Sequence, residues 1–382
     1  MAVPPPAPGP LEGLHVLDLS RLVPGPLCTL VLADLGADVV KIEDPRTGDT
    51  LRGFPPMAGP VGARFAALNR GKRSVALDLK TTRGRDALLR MAARADVLVD
   101  GFRPGVLDRL GVGHDRLRAA NPRLVLCAVT GYGQHGPLRA RAGHDLCYSA
   151  LAGLAGRTGG SDPIPPGAQA ADFAASLWAV IGILAALRER ERTGRGALLD
   201  LSITEAALSL LTQEIAETSA GHARPRGEDR LDGGLACYDV YRTAGGDHLA
   251  VAALEPKFWQ TLHQVLGRPC DLAELDAPPA EQRRIRAELQ TIFATKTRAE
   301  WERAFEGYDA CVAPVLGLDE LAAQPLHRAR DSLFAAHGVL HVRPPAGAAR
   351  ALAAPPAQGE HTAAVLREYG FSDEEIASLG SL

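Results

Sequence analysis

The chain has 382 residues, 46% of them hydrophobic, which is enough for two or three domains that each bury a core. Lysine and arginine number 42 against 45 aspartates and glutamates, a net charge of −3, so the chain lacks the basic excess of a general nucleic-acid-binding protein. Its six cysteines are scattered, without a C-x-x-C pair or a Cys/His zinc spacing. We therefore predict reduced thiols, no metal site and no nucleic-acid partner.

The N-terminal residues and the apolar runs bear on where the protein resides. Residues 1–13 are rich in proline and lack the basic start and apolar run of a signal peptide. The longest apolar run, residues 173–187, includes Ser176 and is shorter than a membrane span. We therefore expect a cytoplasmic protein without a membrane partner.

Strands alternate with helices through the first third of the chain. Strands are predicted at residues 14–19, 38–42, 74–79, 97–99 and 124–130, with helices at 26–35 and 82–95. This alternation is typical of an α/β domain built on a parallel sheet.

Basic residues fall near the predicted strand ends, and open α/β sheets bind ligands at the ends of their strands. These residues are Lys72, Arg73, Lys80 and Arg103. The Gly- and Pro-rich residues 53–73 are predicted to form a loop over the same edge. As a group the basic residues favour a phosphate-binding site, whereas any one of them alone would suit a solvated surface charge.

Residues 131–136 match the G-x-G-x-x-G pattern of dinucleotide-binding turns. However, the pattern follows a late strand, Pro137 comes next, and no apolar helix opens there. We predict instead a glycine-rich turn that shapes the wall of an active site.

The strongest candidates for chemistry are His144 and Asp172. Each begins a predicted helix, at residues 145–154 and 173–192 respectively. An aspartate before an apolar helix usually caps it, and the helix dipole stabilises its ionised form, so Asp172 would also be a positioned base or nucleophile. The same dipole favours a neutral imidazole at His144, and a backbone N–H there, such as that of Asp145, could bind an oxyanion. A purely structural helix-start role is the alternative for both side chains.

The second half of the chain predicts a smaller domain. A strand at 197–203 and a helix at 204–219 are followed by a hairpin at 238–243 and 248–253, and by helices at 256–266, 279–295 and 298–306. We therefore expect a large α/β domain at 1–205 and 330–382, linkers at 206–224 and 316–329, and a small α+β domain at 225–315.

Glu255 lies between the predicted hairpin and the helix that follows it. If Glu255 reached His144, it would orient the imidazole and stabilise its protonated form. A charge that stabilises the helix start is the alternative.

Short motifs are spread over nearly all of the chain. They include GADVVKIE at 36–43, NRGKRS at 69–74, GFRPG at 101–105, AGHD at 142–145, LDGG at 231–234, LEP at 254–256 and GEHT at 359–362. With Asp172, these motifs resemble those of the family III CoA-transferase (CaiB/BaiF) superfamily, in the branch that contains α-methylacyl-CoA racemases.

The resemblance implies a Rossmann-like large domain with a parallel sheet, a small α+β domain, and an interlocked homodimer. In similar racemases the residues that match His144 and Asp172 are the two bases. The glutamate that holds the histidine would be Glu255 of the partner subunit.

The resemblance also implies how substrate is held. Arg103 and Lys80 would contact the phosphates of coenzyme A, and Asp145 with Tyr148 would line the thioester site. No cofactor is bound permanently, because coenzyme A is part of the substrate.

Two departures from the racemase pattern concern the substrate site. Ala171, Ala174 and Ala175 replace glycines around the aspartate, which would narrow the acyl pocket. Asp44 stands where some racemases have an arginine, a contact that Arg46 could replace.

The preferred function is racemisation or epimerisation of a 2-methylacyl-CoA by proton transfer between two bases. Its rival is CoA transfer between carboxylic acids through an anhydride and a thioester of Asp172, which has no evident use for His144 and Glu255. Transferases of the formyl-CoA kind also resemble one another in a run of glycines, where this chain has only pairs. A CoA-binding protein without catalysis is the third class.

Overall fold

The computed structural model describes residues 9–345 and 353–380. Its strands are β1 His15–Asp18, β2 Asp38–Glu43, β3 Met57–Ala58, β4 Val61–Gly62, β5 Arg73–Ala76, β6 Val97–Asp100, β7 Val125–Thr130, β8 Leu198–Ser202, β9 Tyr238–Arg242, β10 His248–Ala252, β11 Val312–Pro314, β12 Leu333–Ala336 and β13 Val339–Val342.

The helices of the first half are α1 Pro24–Asp34, α2 Ala63–Asn69, α3 Thr82–Ala92, α4 Val106–Arg109, α5 His114–Ala120, α6 Asp145–Leu151, α7 Leu154–Arg157 and α8 Ala170–Thr193. Those of the second half are α9 Ile203–Ser209, α10 Thr212–Ser219, α11 Pro256–Leu266, α12 Pro279–Phe293, α13 Arg298–Phe305, α14 Pro325–Ala329, α15 Thr362–Glu368 and α16 Asp373–Gly380.

The described chain divides into two compact units. The first comprises residues 9–152, 167–210, 325–345 and 353–380. The second comprises residues 153–166 and 211–324.

The first unit is built on a sheet of six parallel strands in the order β5-β2-β1-β6-β7-β8. This confirms the predicted α/β class with a parallel sheet. The chain runs outward from β1 to β5 and then returns to the other side of β1 to continue with β6, so the strand order reverses between β1 and β6. In open α/β sheets, ligands bind outside the carboxyl ends of the strands at such a reversal.

Helices cover both faces of this sheet, because neighbouring residues of a strand point in opposite directions. Val16 of β1 packs into a core formed with α1 and α8. The next residue, Leu17, packs on the other face with side chains of α3, α5 and α15.

Helix α8 is longer than the apolar run counted in the sequence, because it continues to Thr193 and ends at Gly194, whose φ is 71°. By length and composition it could cross a membrane, and 56% of its most apolar window is buried within the protein. A buried core helix passes the same test, so this signal is weak. Near its end, buried Arg190 lies 2.9 Å from Asp96.

Two helices differ from their predicted bounds. The helix after His144 ends at Leu151 because Gly153 adopts a left-handed conformation, with φ of 90°. The helix predicted at 204–219 is split into α9 and α10 at Leu211, whose buried side chain packs against Gly153.

The second unit contains a three-stranded antiparallel sheet in the order β11-β10-β9. The hairpin of β9 and β10 was predicted from the sequence and is confirmed. Aromatic side chains of this sheet and its helices form the core. Tyr241 stacks on Phe293 with ring centres 4.9 Å apart, and Trp301 meets the same ring at 5.3 Å.

Candidate active site

A cleft of about 520 Å³ opens at the carboxyl ends of β1, β6 and β7. Its walls come from residues 20–25, 101–106, 129–131 and 139–148, together with Asp172 and Ile203. It therefore lies at the reversal of strand order, where the topology places ligands.

A neighbouring cleft of about 330 Å³ lies over the ends of β2 and β5. Apolar residues line it together with the polar residues Arg21, Glu43, Asp44, Thr47, Asp78 and Lys80. The two clefts share Arg21, Phe102 and Val106. The guanidinium carbon of Arg21 lies 5.5 Å from the centre of the Phe102 ring. An extended ligand that occupied both clefts would lie across Arg21 and Phe102.

Asp172 is the third residue of α8, not its N-cap, so the sequence interpretation was wrong by three residues. The helix begins at Ala170 and is preceded by Gln169, and alanine favours a helical conformation at these first positions. The backbone N–H of Asp172 donates to Asp145 Oδ1 at 3.0 Å. Gln169 Nε2 donates to Asp172 Oδ2 at 3.3 Å.

Burial sets the protonation of Asp172. The residue is only 7% exposed, and among the described residues its side-chain oxygens accept one hydrogen bond, from Gln169. This burial, with the negative charge of Asp145 beside it, raises the pKa of Asp172 to about 7. The carboxyl can therefore hold or release a proton near neutral pH, which suits a group that exchanges protons with substrate.

His144 lines the same cleft as Asp172. It is the N-cap residue of α6, as predicted, but its side chain makes no capping hydrogen bond to the described residues. Its carbonyl oxygen accepts from the backbone N–H groups of Cys147, at 2.8 Å, and Tyr148, at 3.3 Å. The exposed imidazole is thus free to meet a ligand, and the structure brings the two candidate bases together in one cleft.

Tyr148 also lines the cleft, and its ring is held between two glycines. Its hydroxyl donates to Gly143 O at 2.7 Å, and its ring meets the edge of Tyr132 at 5.2 Å. A Cβ atom would come within 2.5 Å of the Tyr148 ring if added at Gly131, and within 2.6 Å if added at Gly143. Burial raises the pKa of the Tyr148 hydroxyl to about 12, so it stays neutral.

Asp145 takes a different position from Tyr148. Its Oδ1 accepts from the start of α8, and its Oδ2 lies 3.5 Å from Ser149 Oγ. The side chain is not among those that line the cleft. The carboxylate thus accepts a backbone hydrogen bond within the protein and does not line the thioester site as predicted.

Four arginines line the main cleft, namely Arg21, Arg103, Arg139 and Arg141. All are exposed, and among the described residues none of them has an acidic side chain within salt-bridge distance. Asp172 is the one carboxylate among the lining residues. The sequence analysis missed Arg139 and Arg141, although their position just before Gly143-His144 could have indicated that they line the same cleft. The cleft is therefore suited to an anion.

The other basic candidates, Lys72, Arg73 and Lys80, differ in whether they reach a cleft. Lys80 is exposed and lines the neighbouring cleft. Arg73 does not reach either cleft, because it begins β5 and so lies at the opposite end of the strand. Its guanidinium donates to Asp38 and Glu368. Lys72 is buried, with Nζ 3.1 Å from Asp18 Oδ2.

Arg46 and Asp44 also lie near the neighbouring cleft. Asp44 lines it, and the guanidinium of Arg46 lies 2.7 Å from Asp78 Oδ2. Arg46 is thus engaged by a carboxylate within its own unit.

Glu255 belongs to the second unit, where it is the N-cap residue of α11. Its carbonyl oxygen accepts from the N–H groups of Phe258 and Trp259, each at 3.0 Å. The exposed carboxylate makes no capping bond in the part of the chain that is described, so helix α11 does not need it for that purpose.

Residues 9–345 and 353–380 contain no group of three or more His, Cys, Asp or Glu side chains that could hold a metal ion.

Known proteins resemble this chain over nearly its whole length. The model for CoA-transferase family III matches residues 11–367. The α-methylacyl-CoA racemase of Mus musculus is 41% identical over 97% of this chain and 96% of that protein. The succinyl-CoA:glutarate CoA-transferase of Mus musculus is 32% identical over 96% of this chain and 87% of that protein. A crystal structure of a CAIB/BAIF family protein from Brucella suis matches with a TM-score of 0.84 and 29% identity, covering 95% of this chain and 100% of that one.

These similarities confirm the resemblance inferred from the motifs. They also confirm that the chain is an enzyme similar in sequence to the α-methylacyl-CoA racemases. The two curated relatives are named for different reactions, so the family by itself does not select one. The chain belongs to CoA-transferase family III.

Proposed function

We propose that the protein racemises or epimerises 2-substituted acyl-CoA thioesters, with 2-methylacyl-CoA as the model substrate. The observation that carries the proposal is that a buried carboxyl with a pKa of about 7, Asp172, lines the same cleft as the exposed imidazole of His144. A two-base reaction requires two side chains that can each take up and return a proton, and a carboxyl and an imidazole are such groups.

In the proposed reaction, one base takes the proton from the α-carbon and leaves an enolate with its negative charge on the thioester oxygen. The backbone N–H of Asp145, in the first turn of α6, has no helical acceptor and would donate to that oxygen. The other base then returns a proton to the opposite face of the α-carbon. General base catalysis contributes about 10²- to 10⁴-fold, and an oxyanion donor about 10²- to 10³-fold, so both are needed for so weak a carbon acid.

Coenzyme A supplies the anion that the arginines would bind. We propose that Arg103 and Arg21 in the main cleft, with Lys80 in the neighbouring one, contact its phosphates. The thioester would then reach His144 and Asp172 at the other end of the main cleft. No permanently bound cofactor takes part in these steps.

We further propose that the protein is an interlocked homodimer. One face of α8 exposes a run of large apolar side chains next to Asp172, namely Phe173, Leu177, Trp178 and Ile181, each between 45% and 53% exposed. A contiguous exposed apolar face marks a surface that another protein covers. With a second copy in place, Glu255 of the partner subunit would hold the imidazole of His144 in one orientation.

The alternative is CoA transfer, which the similarity to a mouse succinyl-CoA:glutarate CoA-transferase favours. In that reaction the Asp172 carboxylate attacks the thioester carbonyl, CoA leaves as the thiolate, and an acyl anhydride of Asp172 remains. CoA thiolate then attacks the Asp172 carbonyl to give an aspartyl-CoA thioester and releases the first acid. The incoming acid repeats these steps in reverse.

Incubation with a 2-methylacyl-CoA of one configuration in D₂O separates the two reactions. A racemase incorporates deuterium at the α-carbon while stereochemical purity is lost. Both effects should vanish in Asp172→Asn and persist in Asp86→Asn, a control at an exposed carboxylate of α3.

A transferase gives a different pattern in the same assay. No deuterium enters the α-carbon, CoA passes to an added carboxylic acid, and hydroxylamine traps an adduct at Asp172. If neither reaction occurs and Asp172→Asn still binds acyl-CoA as the wild type does, the protein is a CoA-binding protein without catalysis.

A further inference from the structure

The side chain of Asp145 joins the starts of two helices that are far apart in the sequence. Asp145 is the first residue of α6, and its Oδ1 accepts the backbone N–H of Asp172 at 3.0 Å, in the first turn of α8. N–H groups in a first turn have no helical acceptor, so this bond satisfies a donor that would otherwise be unpaired.

This bond connects the two candidate bases. His144 directly precedes Asp145, and Asp172 itself supplies the donor. We propose that the Asp145 carboxylate is a positioning residue that fixes the Asp172 carboxyl relative to His144 across the cleft. The inference rests on the site of the proposed function, but it applies equally to a transferase, because both reactions need Asp172 held in place.

The charge of Asp145 has a second effect, on the proton of Asp172. A negative charge beside a buried carboxyl disfavours ionisation and works in the same direction as burial. Gln169 Nε2 donates to Asp172 Oδ2 at 3.3 Å, a contact that would favour the ionised form, and four arginines line the same cleft. The neighbouring Tyr148 carries no charge near neutral pH.

Two substitutions of one residue separate these effects. Asp145→Asn keeps an oxygen that accepts the N–H of Asp172 but removes the charge. Asp145→Ala removes both. Asp115→Asn is the matched control, because Asp115 is also a first-turn carboxylate but lies in α5, outside the cleft lining.

The expected results differ between the two variants. In Asp145→Asn, which leaves the backbone N–H of residue 145 in place, the pH–rate profile moves to lower pH and the turnover number exceeds that of Asp145→Ala. In Asp145→Ala the turnover number falls on the order of 10²-fold, because small displacements of reacting groups have costs of that size. The control should change neither quantity.

A direct titration makes the test independent of turnover. The carboxyl carbon of Asp172, labelled with ¹³C and assigned by its loss in Asp172→Asn, is followed by NMR as pH is varied. Its midpoint should fall in Asp145→Asn relative to the wild type. If the wild type shows no deuterium exchange but the midpoint still moves, the proposed reaction fails while the effect of the Asp145 charge on Asp172 stands.

The proposal is overturned if the Asp172 midpoint is the same in Asp145→Asn and wild type and the two Asp145 variants turn over at the same rate. Thermal unfolding of Asp145→Ala is recorded alongside. If that variant does not fold, Asp145→Leu takes its place, because leucine has nearly the shape of asparagine but no acceptor for the N–H of Asp172.

Discussion

Asp172 differs from most carboxylates in the first turn of a helix. Such groups usually stabilise the helix in their ionised form. Here burial opposes ionisation strongly enough to raise the pKa to about 7. Both protonation states are therefore populated at neutral pH. A reaction that alternates its two bases needs Asp172 as a base in one direction and as an acid in the other.

The raised pKa of Asp172 predicts a pH-dependent gain in stability for Asp172→Asn. The folded chain keeps a proton that the unfolded chain releases, so this carboxyl stabilises the fold less as pH rises from about 4 to about 7. Chemical unfolding should show Asp172→Asn to be more stable than the wild type by about 1 to 4 kcal/mol at pH 8. The gain should be absent near pH 4. An equal gain at both values would contradict the assigned pKa.

The two glycines around the Tyr148 ring predict a steric effect. Gly131→Ala or Gly143→Ala would force the ring to move, with a destabilisation of about 1 to 3 kcal/mol. Turnover should fall as well, because Tyr148 lines the cleft. Thermal unfolding and the exchange assay measure these effects. Gly167→Ala, where an added Cβ meets open space, is the control, and equal behaviour of the three variants would exclude the effect.

At the scale of elements, the carboxyl end of β6 shows how a buried charge shapes a binding loop. Asp100 ends β6 and accepts from the backbone N–H of Phe102 at 2.8 Å. It also meets His114 Nε2 at 2.9 Å, and this hydrogen bond raises the pKa of His114. The loop held in this way continues into Arg103, on the main cleft.

Loss of the His114 contact should therefore weaken substrate binding more than turnover. For His114→Asn we expect KM for acyl-CoA to rise about 3- to 10-fold, consistent with the loss of one hydrogen bond to a charged group. Because the pKa of His114 is raised, the stabilising charged pair is present at low pH and is lost as pH rises through that pKa, so wild-type KM should increase over this range. His135→Asn, an exposed residue of the turn after β7, is the control. A fall in kcat with unchanged KM would argue against this role.

The sequence predicted elements better than it predicted contacts. Buried strands such as β6 and β7 were found because apolar runs between turn residues are a strong local signal. The start of α8 was misplaced, since Ala170 and Ala171 extend the helix toward its N-terminus without any capping residue that the sequence would reveal. The bond from Asp172 to Asp145 spans 27 residues, and no local pattern encodes such a partner.

The same distinction applies to the basic residues. Lys80 and Arg103 were predicted near strand ends, and both line clefts. Arg73 was predicted with them, but it stands at the opposite end of its strand, where acidic side chains of other segments engage it. The sequence already placed Arg73 before its predicted strand and Lys80 after it. Open α/β sheets bind ligands at the carboxyl ends of their strands, so the prediction for Arg73 failed because the two ends were not distinguished.

For the whole molecule, the proposed dimer places His144 and Glu255 of one site on different chains. This predicts complementation between two inactive variants. His144→Ala and Glu255→Ala, co-expressed with different tags, would form mixed dimers that contain one intact site. At equal expression the preparation should recover about a quarter of wild-type activity, because half of the dimers are mixed and each has one working site of two.

Separate expression of each variant is the control for this experiment. Purification through both tags in succession should raise the recovered activity to about half of wild type, since only mixed dimers remain. If the mixed dimer is as inactive as its parents, Glu255 acts within its own chain. If Glu255→Ala expressed alone is active, Glu255 has no part in the reaction.

The four arginines of the main cleft would also attract the substrate before it contacts the protein. The chain is acidic overall, yet this opening concentrates positive charge around a single carboxyl that is half protonated near pH 7. An acyl-CoA, which carries several negative charges, would be attracted from solution toward the reactive end of the cleft. Because salt at about 0.1 M screens such attraction beyond about 10 Å, kcat/KM should fall as ionic strength rises while kcat changes little. The double variant Arg139→Gln with Arg141→Gln should weaken the dependence of kcat/KM on ionic strength. The charges of the cleft would then set the rate of substrate association as well as its binding.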